Sequence, residues 1–173
     1  MQALSVAEPQ DQARLHKAVT DLVIGVFRLN GDLLAAGDTL VGDLGLSSAR
    51  WQVLGSIALS LVPLPVAHLA RNMGLTRQAV QRLVDEMRGD GLVSLAANPH
   101  HRRAMLVMMT NEGQAAYRAA LARQEGWADA LAAGLSPDRI EAAGSLLREL
   151  QRRLRDGAAA PADAPMRSNP EGA

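Results

Sequence analysis

Between residues 12 and 36, large apolar side chains fall at Leu15, Val19, Leu22, Val26, Leu29 and Leu33, alternately four and three residues apart. This heptad-like stripe predicts a long amphipathic helix whose apolar seam needs a partner. Residues 35–45 are rich in Gly and Asp and are expected to form a loop. Ser47 is a candidate N-cap for a second helix over residues 48–60, with Trp51, Leu54, Ile57 and Ala58 facing inward. Pro63 and Pro65 then break the pattern.

The next stretch is denser in signals. Residues 66–72 predict a short helix with Val66, Leu69 and Ala70 inward, and Gly74 supplies a turn. Thr76 is placed to cap a helix over residues 77–90. Val80, Leu83, Val84 and Met87 make one face of it apolar, and Arg77, Gln78, Gln81, Arg82, Asp85 and Arg88 make the other polar. Gly91 ends that helix. Residues 92–97 and 105–109 read as strands joined by the basic tip NPHHRR. Thr110 caps a long helix reaching about residue 133, and Ser136-Pro137 starts a last helix over residues 138–156. The last helix has Ile140, Leu146, Leu147, Leu150 and Leu154 as its apolar positions. Residues beyond Gly157 carry too few large apolar side chains to fold, and the tail 157–173 is expected to be disordered.

Two helices around a Gly turn, then two strands with a basic tip, describe a winged helix-turn-helix, a shape that fits the DNA major groove. The expected fold is mainly α with a small β-hairpin wing. Charge agrees with that reading only locally. The formal net charge of the 173-residue chain is zero, yet residues 66–110 hold six arginines against three acids. All basic residues except Lys17 are arginines. Arginine is the better bidentate partner for phosphate and guanine. Aromatics make up only 2% of the chain, so aliphatic side chains and Met must fill its core.

The absence of cysteine excludes disulfides, Cys-ligated zinc and thiol redox sensing. The first ten residues lack the basic and apolar regions of a signal peptide, and no apolar run approaches a membrane span, so a cytoplasmic protein is expected. The chain carries no GxSxG, P-loop or HExxH pattern, and no enzyme activity is expected. The GDGLVS segment from Gly89 leaves a helix and enters a strand, the reverse of the dinucleotide-binding order. His100 and His101 are read as neighbours in a strand, pointing to opposite faces and poorly placed for one metal ion; no cofactor is expected. Phe27, Arg28, Arg50 and Trp51 read as ordinary helix and core residues rather than as ligands of an effector.

Three segments carry a family resemblance: RWQVL at residues 50–54, LARNMGLTRQAVQRLVDEMRGDGLV at residues 69–93, and HRRAMLVMMTNEG at residues 101–113. In this order and spacing the chain resembles the multiple-antibiotic-resistance regulator (MarR) family of bacterial winged-helix repressors, over roughly residues 12–156. The resemblance implies a homodimer joined by the first and the last two helices. Residues 12–36 and 111–156 would form the helical dimerisation domain, and residues 46–110 the DNA-binding domain. It further implies repression of transcription on double-stranded DNA, with release by a small-molecule effector in many members. The expected DNA contacts are Thr76, Arg77, Gln78, Gln81 and Arg82 on the recognition helix and His101, Arg102 and Arg103 on the wing. One position departs from the family. An acidic residue often stands two places before the second wing arginine, and here His101 stands there. A protonated imidazole attracts phosphate, so wing affinity is expected to rise as pH falls. The alternative reading is a winged-helix adaptor that binds protein rather than DNA; basic residues at both groove-facing sites argue against it.

Overall fold

The computed structural model describes residues 9–101 and 103–157. The tail expected to be disordered lies outside the described residues beyond Gly157, as does Arg102. Helix α1 spans Pro9–Val41, α2 Ser48–Ala58, α3 Val66–Met73, α4 Arg77–Gly89, α5 Asn111–Ala132 and α6 Pro137–Arg155. Strands β1 (Leu64–Pro65), β2 (Val93–Ala96) and β3 (Leu106–Met109) form one antiparallel sheet in the order β1-β3-β2. The chain divides into two compact units after Gly126.

In the first unit, the loop expected at residues 35–45 is corrected. Helix α1 continues to Val41 and is followed by a 3-10 turn at Gly42–Leu44. The reason is a tertiary contact. Ser48 Oγ donates to the Leu34 carbonyl at 2.6 Å, and the Ser48 N–H donates to Asp38 Oδ1 at 2.6 Å. Gly37 is buried against that serine, and a Cβ on it would overlap Ser48 Oγ. A residue read as a loop signal is thus a close-approach residue inside a helix. The 3-10 turn stops where Gly45 turns left-handed at φ 70°.

The core lies among α2, α3, α4 and the sheet. Val41, Val53, Leu54, Leu69, Val80, Val84, Met87 and Val107 are fully buried, each worth about 1.5–3 kcal/mol relative to exposure. Val66, Leu69 and Ala70 face inward as expected, and so do Val80, Val84 and Met87, with Leu83 half-buried. On α2 the expectation is partly corrected. Leu54 is buried with Val53, Trp51 and Ile57 are half-buried, and Ala58 is exposed because the helix ends there. Pro63 and Pro65 do more than break the chain. Leu64 pairs with Val107 and Pro65 with Leu106, on a sheet edge where proline's missing N–H costs no ladder bond.

Helix ends follow local chemistry. Ser47 Oγ accepts from the Arg50 N–H at 3.3 Å, and Thr110 Oγ1 accepts from the Gly113 N–H at 3.0 Å. In the second unit, Ser136 Oγ accepts from the Arg139 N–H at 3.4 Å and Pro137 opens α6. Helix α6 buries none of its residues, and Ile140, Leu146, Leu147 and Leu154 are exposed. The apolar stripe of α1 is also largely uncovered, Leu22 alone being half-buried.

Candidate nucleic-acid interface

The helix-turn-helix is built by two caps in sequence. Gly74 ends α3 in a left-handed conformation at φ 67°, and the Leu75 N–H reaches back to the Ala70 carbonyl at 2.9 Å. Two residues later Thr76 Oγ1 accepts from the Ala79 N–H at 3.2 Å and starts α4. This tight connection fixes α4 across α3, while Val80, Val84 and Met87 anchor its inner face. The opposite face then points to solvent. Thr76, Arg77, Gln78 and Arg82 are exposed, and Gln81 is half-buried.

The exposed face is a shallow depression lined by Arg77, Gln78, Gln81, Arg82, Asp85 and Glu86. Two of these side chains have partners within the helix. Gln81 Nε2 donates to Asp85 Oδ2 at 3.1 Å, and Arg82 Nε lies 3.7 Å from Glu86 Oε1. Arg77 forms no ion pair among the described residues. The helix N-terminus adds partial positive charge beside Thr76 and Arg77, which favours a phosphate there.

At the far end, Gly91 closes α4 at φ 77°, with the Leu92 N–H bonded to the Met87 carbonyl at 2.9 Å. The chain then enters β2, whose pairing with β3 runs from Val93–Met109 to Ala96–Leu106. The wing tip is a polar turn. The Asn98 side chain accepts from the His100 N–H at 2.9 Å, and the Ala104 N–H donates to the His101 carbonyl at 3.0 Å. His101 and Arg103 are exposed there. His100 and His101 therefore sit in a turn, not a strand, which corrects the geometric reason used to separate them. Among the described residues, no three potential metal ligands cluster.

Sequence reasoning overlooked a second set of charges. Arg50 of α2, a partly exposed helix residue, lies 2.8 Å from Asp90 Oδ2 and 3.7 Å from Glu86 Oε2. Arg123 of α5 pairs bidentately with Asp43 and donates to the Leu40 carbonyl at 2.9 Å. That hydrogen bond from Arg123, opposed in part by desolvation and aided by the cation's field, holds the Asp43 carboxyl below its usual range. These partners lie about 40 and 80 residues apart, so no local pattern announces them.

A cavity of about 390 Å³ lies beside the sheet, between the end of α2 and the start of α5. Ile57, Leu61, Val107 and Met109 give it apolar walls, and Tyr117 and Arg118 supply polar groups. Among the described residues, no helix is long and apolar enough to cross a membrane.

The geometry meets independent likenesses. Residues 44–104 match the model of the MarR family. The uncharacterized protein Rv2011c of Mycobacterium tuberculosis is 33% identical over 132 residues, covering 76% of this chain and 91% of that protein. The transcriptional activatory protein BadR of Rhodopseudomonas palustris is 31% identical over 95 residues, 54% of each chain. Among solved structures, the M. tuberculosis regulator MosR in complex with DNA matches with TM-score 0.65 and 25% identity, covering 77% of this chain and 97% of that one. CouR of Rhodococcus jostii, bound to p-coumaroyl-CoA, matches with TM-score 0.61 and 25% identity, covering 84% and 96%. With the helix-turn-helix, the wing and these likenesses together, the chain belongs to the MarR family of winged-helix transcription regulators.

Proposed function

We propose that this protein binds a pseudo-palindromic operator as a homodimer and represses transcription, with a small-molecule effector releasing it. The observation that carries DNA binding is the exposed face of α4, where Thr76, Arg77, Gln78, Gln81 and Arg82 stand on a helix anchored by a buried opposite side. Gln and Arg at those positions pair bidentately with adenine and guanine edges. Arg102 and Arg103 of the wing, with His101, meet the backbone or the minor groove beside it. No catalytic step belongs to this reading, and its site of action is the bacterial cytoplasm, where the chromosome lies.

Dimerisation is supported by uncovered apolar surface. Leu15, Val19, Val26, Leu29 and Leu33 of α1 are all exposed, a run too long and regular for a solvated helix face. Two-fold symmetry then presents two α4 helices to successive major grooves about 34–36 Å apart. Repression follows the common habit of the family the chain resembles. BadR is named an activatory protein, so a reporter assay with the chain's own upstream DNA decides the sign.

The cavity beside α5 is the effector site in this reading. Its walls suit an apolar body, and Arg118 suits one anionic or hydrogen-bonding group. An effector acts only by binding the DNA-competent and incompetent states unequally. The founding test is fluorescence anisotropy with the DNA upstream of the gene against scrambled DNA across a salt series. Preferential binding that weakens steeply with salt is expected. No binding to either DNA at low salt would return the chain to the adaptor reading.

A further inference from the structure

Arg50 joins three parts of the first unit. Its Nη1 donates to the Gly45 carbonyl at 3.3 Å and lies 2.8 Å from Asp90 Oδ2. Its Nη2 lies 3.7 Å from Glu86 Oε2, and the other Glu86 oxygen lies 3.7 Å from Arg82 Nε. A chain of charges therefore runs from the turn after α1, through Arg50 and Glu86, to an arginine on the exposed face of α4. Arg50 is only 22% exposed, against 79% for Arg82, so it is the fixed end of the chain and Arg82 the free end.

From this geometry we propose that Arg50 is a positioning residue for DNA recognition. It holds Glu86 and Asp90 on the α2 side of α4 and leaves Arg82 available to the groove. The inference rests on the DNA-binding reading above. The physical argument is competition. Glu86 stands four residues after Arg82, the spacing at which helix side chains pair. Without Arg50, Glu86 loses its second cation and turns wholly to Arg82. Asp90 is left uncompensated at the negative end of the helix dipole. A purely stabilising role is the weaker account, because pairs whose acids are about half exposed contribute little to folding.

The test begins with wild-type protein selecting a site from a random pool of duplex DNA. Anisotropy then compares that site with a random-sequence duplex for wild type, Arg50→Ala, Arg50→Gln, Glu86→Gln and Arg50→Ala/Glu86→Gln. Arg50→Ala is expected to lower the selected-to-random affinity ratio about tenfold, the order of one charge-assisted contact. Arg50→Gln keeps a donor for the Gly45 carbonyl but no charge, so it should lose as much and serves if the alanine variant does not fold. Adding Glu86→Gln should restore most of the ratio, since no carboxylate then captures Arg82. A folded Arg50 variant with the wild-type ratio overturns the proposal. So does a loss that Glu86→Gln does not relieve, which marks a structural role alone. Failure of the wild type to enrich any sequence overturns the DNA-binding reading itself, and this one with it.

Discussion

Arg123 grips Asp43 with both terminal nitrogens and also donates to the Leu40 carbonyl at 2.9 Å, tying α5 to the end of α1. The carboxyl of Asp43 is held below its usual range, first by that hydrogen bond. A group whose folded pKa is lowered adds stability above its unfolded pKa and loses it as pH falls through the folded value. Asp43→Asn should therefore lower the melting temperature at neutral pH. Its difference from wild type should shrink as pH falls below about 4 and vanish in stronger acid. A difference independent of pH would show that the ion pair is not its source.

Two glycines should fail differently. A Cβ at Gly37 would meet the Ser48 hydroxyl, a side chain that can turn away with the loss of its bond to Leu34. A Cβ at Gly113 would meet the Leu92 carbonyl, which is backbone. Gly37→Ala should cost about 1–3 kcal/mol, and Gly113→Ala more. Urea denaturation checks the order. Equal effects would mean that α5 and β2 separate freely.

On DNA, Arg103→Ala should weaken binding to all sequences and reduce the salt slope by about one unit, as loss of one phosphate contact does. Gln81→Ala should instead change preference at one base pair, by about 1–3 kcal/mol. Titrations over salt and over single-base variants of a selected site separate the two. A uniform effect of Gln81→Ala would move that residue to the backbone contacts.

For self-association, Leu29→Glu puts a charge in the middle of the exposed α1 stripe. An unpaired charge in an apolar interface should weaken the dimer at least about a hundredfold. Sedimentation equilibrium should show a folded monomer. An unchanged dimer would place the interface elsewhere.

The cavity makes a narrower prediction. Replacing Arg118 by Ala should leave DNA binding intact while reducing release by an anionic effector about tenfold or more, since one charge-assisted bond is lost. Anisotropy with a panel of aryl carboxylates and acyl thioesters measures it. Equal release from both proteins would remove Arg118 from the effector site.

Much of this protein is set by short-range sequence. Periodicities of three to four residues placed the inner faces of α3 and α4. Caps at Ser47, Thr76, Thr110 and Ser136 marked where helices begin, because each bonds an N–H only three residues away. The exposed polar face of α4 followed from the same local rule. Tertiary structure decided the rest. Helix α1 runs through Gly37 because Ser48 packs on it from another helix. Leu64-Pro65 became a strand only because β3 lies beside it, more than 40 residues away. Arg50 found Asp90, and Arg123 found Asp43, across similar or greater distances along the chain. A propensity or a cap is a property of a few adjacent residues. A close approach, a sheet edge or an ion pair between elements exists only after the chain has brought distant residues together.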